Sequence, residues 1–152
     1  MQERLSPELE AALQAEEAGT LNQLVRTRRP EHLAQLRQVA ADETAPPLVR
    51  SRAIYALGRW GEPAAVADIV RALPTLTEQG RLSAMDALGR LATPEAEQVL
   101  ADHAGDPSPQ IRKLVVEGLA RTKGAAAHST LRAIAERDAE GWLRELASRH
   151  VK

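Results

Sequence analysis

The chain has 152 residues, 43% of them hydrophobic and 27% charged, with a formal net charge of -1 and no cysteine. That length suffices for one domain with a real core, while the near-neutral balance gives no general attraction to nucleic acid or to anionic membrane. The missing cysteine excludes disulfides, thiol catalysis and thiolate metal sites and fits a reducing compartment.

Aromatic residues are 2% and Phe is absent, so the core must be built from Leu, Val, Ile and Ala. Ala favours helix and lets helices approach closely. From the N-terminus, residues 1–7 contain no apolar signal region, and no apolar run approaches a membrane span, so a cytoplasmic location is expected. Arg greatly outnumbers Lys, which with the Ala content suggests a GC-rich bacterial genome. Ser6-Pro7-Glu8 predicts a capped helix over roughly 7–17. A shortened helix over 20–28 follows, then one over 30–41 opened by Pro30.

Beyond residue 43 the chain repeats itself. Leu57, Leu88 and Leu119 recur at a step of 31, as do Arg50, Arg81 and Arg112, and Thr44, Thr75 and Asp106. Each unit predicts two helices. The first opens at Pro47, Glu78 or Pro109, with Ser108 positioned to cap free amides. It ends near Arg59, Arg90 or Arg121, where a cation meets the negative helix terminus. Breaks follow at Gly61-Glu62, Ala92-Thr93 and Lys123-Gly124, and Pro63 and Pro94 start the second helices, the latter capped by Thr93. Apolar residues recur at helical spacing, for example Ile111, Leu114, Val115 and Leu119. One such pair cannot bury its apolar stripe alone, so the units must stack. The expected class is all-α, a short α-solenoid forming one domain over 1–152: a cap and degenerate repeat at 1–43, regular repeats at 44–74, 75–105 and 106–138, and a closing helix at 139–152.

These residues resemble the HEAT-like repeats of the phycobilisome-lyase type. The family pattern of Asp, then Val-Arg, then spaced Ala and Leu-Gly appears as Asp106 through Ile111-Arg112 to Gly118-Leu119, and as Val49-Arg50 leading to Ala56-Leu57-Gly58. The resemblance covers residues 44–138. Thr44 and Thr75 depart from it by replacing the Asp seen at 106, and Gly80 by replacing the Val before Arg81. It implies a right-handed stack of antiparallel helix pairs, protein binding as the usual role, and second helices lining the concave face.

On that basis the outward positions of the second helices, Asp68, Arg71, Gln98, Asp102, His128, Arg132 and Glu136, are candidates for contacting a partner. Tyr55 is another, because it aligns with Asp86 and Glu117 on a face that is polar elsewhere; the alternative is a ring lying over the preceding helix pair. The Arg ladder at 50, 81 and 112 is read as structural, bonding to inter-repeat backbone. Trp60 is expected at a packed junction, and Trp142 is expected to pack onto the last repeat. The cluster Arg26, Arg28, Arg29 reads as a solvated helix end. His32, His103, His128 and His150 form no metal-ligand spacing. No phosphate loop, dinucleotide fingerprint or nucleophile elbow is present.

The leading expectation is a scaffold or adaptor that binds another protein, with no cofactor, no membrane partner and no catalysis, as a monomer or weak homodimer. The alternatives are an accessory subunit of a lyase or modification enzyme, and a nucleic-acid-binding HEAT-like protein.

Overall fold

The computed structural model describes residues 4–151, and among these it contains ten α-helices, one 3-10 turn at Leu73–Thr75 and no strand. In chain order the helices are α1 (Pro7–Gln14), α2 (Ala18–Arg26), α3 (Pro30–Ala41), α4 (Pro47–Trp60), α5 (Ala65–Ala72), α6 (Glu78–Leu91), α7 (Pro94–Asp102), α8 (Pro109–Thr122), α9 (Ala125–Arg137) and α10 (Gly141–Ser148). Their starts follow from local chemistry. Ser6, Thr77, Thr93 and Ser108 each accept a backbone N–H three residues on, which satisfies one of the orphan donors of a helix start. Three elements differ in their bounds from expectation, α2 among them, which spans Ala18–Arg26 rather than 20–28. The first helix ends at Gln14 rather than near 17. The helix expected from Pro63 begins at Ala65, because Ala65 and Val66 donate to Glu62 and Pro63 in tight three-residue turns.

The helices α4, α6 and α8 all end the same way. Gly61, Ala92 and Lys123 take positive φ and donate back to the carbonyls of Leu57, Leu88 and Leu119, the left-handed helix stop. This turns the chain into the second helix of each pair. The buried residues Ile54, Leu57, Ile69, Met85, Leu88, Leu100, Ile111 and Leu119 then form one core running through the repeats.

The two layers of the stack are not equally tight. An added Cβ on Gly58 would lie 2.6 Å from Cα of Ala87, and one on Gly89 would lie 2.7 Å from Cα of Gly118. The backbones of α4, α6 and α8 are therefore in near contact, whereas α5, α7 and α9 touch one another sparsely. The first helices thus form the tighter layer, termed the inner side, and the second helices the looser, outer layer.

The Arg ladder is structural. Arg50 donates to the Ala40 and Thr75 carbonyls, and Arg81 lies 3.9 Å from the Asp106 carboxylate. Arg112 donates to both oxygens of Asp138, at 2.9 and 3.2 Å, and to the carbonyl of Asp106 at 2.8 Å. Each Arg reaches the loop that ends its own repeat, which is why Asp recurs there. Where Thr75 stands, only a carbonyl at 3.4 Å remains to accept. Gly80 leaves room for Leu76, whose Cβ would lie 3.1 Å from an added Cβ. In the loop after α3, the side chain and N–H of Thr44 donate to Asp42 and lower its pKa.

The ends are built by the same rules. α10 repeats the register of α8: Leu143 and Ala147 are buried like Ile111 and Val115, and Arg144 donates to the carbonyl of Asp138 as Arg112 does to Asp106. At the other end, Arg28 adopts positive φ, lies 5.0 Å over the Trp60 ring, and donates to the Trp60 carbonyl. The basic cluster is therefore partly a clamp on the end of α4. His32 of α3 is 3% exposed, and neither ring nitrogen has a hydrogen-bond partner; the nearest charge is Glu8, 3.8 Å from Nε2. Leaving a buried polar group unpaired costs about 1–3 kcal/mol. His32→Leu is accordingly expected to raise stability at neutral pH by about 1 kcal/mol, read as a higher denaturant midpoint at unchanged slope.

Candidate functional site

The structure places the candidate residues on two opposite sides. Arg71, Gln98, Asp102, His128, Arg132 and Glu136 are exposed on the outer helices α5, α7 and α9. Several are tied to their own helix: Gln98 donates to Asp102 at 2.9 Å, and Arg132 lies 3.1 Å from His128 Nε2. Asp68 is not outward. It is 6% exposed and held by Arg37 of α3 and Arg71, so it bridges neighbouring units. A carboxylate this buried requires paired donors.

Tyr55 lies on the inner side, half-buried, with its hydroxyl donating to Asn22 of α2 at 3.1 Å and the Arg59 guanidinium 4.8 Å over its ring. It rests on the preceding helices while keeping one edge in a groove. Trp60 is packed at 5% exposure, as its junction position requires, but Trp142 is 43% exposed. It does not pack onto the last repeat: it stands in the first turn of α10, one residue before the buried Leu143, and so points off the core.

Sequence reasoning missed Leu48, which is 53% exposed. Among the described residues, Leu48 and Trp142 are the large hydrophobic side chains left in solvent. They occupy the same repeat position, since Leu48, Gln79, Gln110 and Trp142 follow at steps of 31, 31 and 32 and each is the second residue of its helix. The signal was present: Leu48 is an apolar residue in a column that reads Gln in the next two repeats, the argument that singled out Tyr55. Along the rest of this face three acids are paired in place. Asp86 pairs with Arg90, Glu117 with Lys113 and Glu145 with Arg149, each four residues apart. Beside Leu48 a groove of about 200 Å³ opens, floored by Ala12, Leu21 and Tyr55 and walled by the turn between α1 and α2.

Chemically this face can bury apolar area and exchange hydrogen bonds. Among the described residues no group of three or more His, Asp or Glu could hold a metal ion, and no helix is long and apolar enough to cross a membrane.

A stack of antiparallel helix pairs with a small-residue seam and an Arg-to-loop ladder defines a helical repeat solenoid. The family of HEAT repeats matches residues 72–150, just over half of the chain, and the chain belongs to that family. HEAT repeats generally mediate protein–protein interaction. No curated protein matches the chain.

Proposed function

We propose that the chain is a protein-binding adaptor whose inner face, formed by α4, α6, α8 and α10, carries the partner. The observation that supports this reading is the pair Leu48 and Trp142, exposed at equivalent positions on one face, while the other large apolar side chains among the described residues are at least partly covered. An isolated exposed Leu is ordinary. Two in one structural row, with a groove between α4 and the cap, resemble the apolar anchors of an interface. In this reading the chain binds and does not catalyse, and its ion-paired outer helices serve as solvated surface.

The test is capture from host lysate with three baits. Leu48→Glu with Trp142→Glu alters the inner face, and Gln98→Lys with Arg132→Glu alters the outer one. All four positions are exposed, so melting temperatures should match wild type. Arg71 is left intact because it holds buried Asp68. The expected result is a protein retained by wild type and by the outer variant and lost by the inner variant. Loss from the outer variant alone would move the site to α5, α7 and α9.

A further inference from the structure

We propose that the groove beside Leu48 receives a lysine or arginine side chain from the partner protein, presented next to an aliphatic residue. The inference rests on the reading of the inner face as a docking surface and names the chemistry of what docks.

The charges on that face carry the argument. Asp86, Glu117 and Glu145 each have a cation on the next turn of their own helix. Glu16 and Glu17 do not. Both are exposed, both line the groove, and neither forms an ion pair among the described residues. The one cation lining the groove, Arg52, is engaged elsewhere: its guanidinium donates to the Leu13 carbonyl in the last turn of α1 at 2.8 Å. The groove therefore has an apolar floor, an exposed Leu48 at one side and two carboxylates at the rim that outnumber its single cation, Arg52.

Such an arrangement matches a long basic side chain better than any other single residue. The aliphatic stem of Lys or Arg covers apolar surface while the head stays at the polar edge. A volume of about 200 Å³ admits one side chain of that size. The neighbouring aliphatic residue of the partner would lie on Leu48, adding apolar burial to the charge pairing. An acidic partner would face two like charges, and complementarity of this kind selects partners more than it adds affinity.

The experiment uses the full chain labelled with nitrogen-15 and two capped peptides, acetyl-Leu-Arg-Leu-Arg-amide and acetyl-Leu-Glu-Leu-Glu-amide. The basic peptide is expected to shift the amide signals of Glu16, Glu17, Leu48 and Tyr55, with affinity that falls as salt rises. Glu16→Lys with Glu17→Lys should weaken it by at least about tenfold, with an unchanged melting temperature. Equal binding of the acidic peptide, equal binding to the double variant, shifts confined to other faces, or no shift at millimolar peptide would each overturn the proposal. If the lysate partner is still lost from the Leu48→Glu, Trp142→Glu bait when the peptide result is negative, the inner-face reading stands and only the basic-segment inference falls.

Discussion

Gly89→Val is expected to lower the free energy of unfolding by about 3 kcal/mol, the upper part of the range for overpacking a tight interior. Gly89 sits at the crossing of α6 and α8, where a Cβ would stand 2.7 Å from Cα of Gly118. The opposing atom belongs to backbone, so no rotamer change can absorb the clash and the helices must separate. The smaller Gly89→Ala poses a contest between two effects. Ala gains up to about 1 kcal/mol of helix propensity over Gly, and overpacking costs about 1–3 kcal/mol. Because the contact is backbone to backbone, the cost wins and a net loss is expected. Gly19→Ala is the internal control. It lies in α2 with nothing within 4 Å of the added methyl, so the propensity gain is unopposed and stability should rise. Urea denaturation followed by far-UV circular dichroism reads all three. A neutral Gly89→Ala would mean that α6 and α8 are not in backbone contact.

Leu88→Ala is expected to cost about 2–5 kcal/mol, the usual range for a truncated core leucine. Leu88 is fully buried in the middle repeat, between units that cannot bury their apolar stripes alone. Its carbonyl also receives the N–H of Ala92 that stops α6, so a cavity there adjoins the left-handed turn. Repeat stability is a sum of unit and interface contributions, which makes a central position costlier than a terminal one. Against a total stability of about 5–15 kcal/mol for a small domain, this loss should produce a large drop in the melting temperature. A shift near zero would remove Leu88 from the core.

Much of this was legible in the sequence because it depends on local chemistry. The step of 31 residues gave the helix pairs, and Ser108-Pro109 and Thr93-Pro94 marked helix starts that the structure places at the same residues. The inner and outer layers were not read from the sequence, because helical periodicity marks what faces the core and not which layer is tighter. The information was nevertheless present in residue size. Gly58, Gly89 and Gly118 all fall in first helices, whereas the small residue repeated in the second helices is Ala, at 65, 96 and 127. Asp68 could not have been placed by any helical wheel, since its burial depends on Arg37 in a different unit. Trp142 was misjudged for a similar reason: hydrophobicity alone suggested packing, whereas its repeat register, shared with Gln79 and Gln110, points to solvent. The structural reading of the Arg ladder agrees with the hydrogen bonds of Arg50 and Arg112.

The central claim is that the inner face receives a protein partner, and the absence of native cysteine allows a direct test. Single cysteines at Gln110 on the inner face and at Gln98 on the outer face can each carry a benzophenone cross-linker, and the labelled proteins can be irradiated in host lysate. The account predicts a discrete cross-linked protein from the Gln110 position and none from Gln98. The same adduct from Gln98, with none from Gln110, would contradict it.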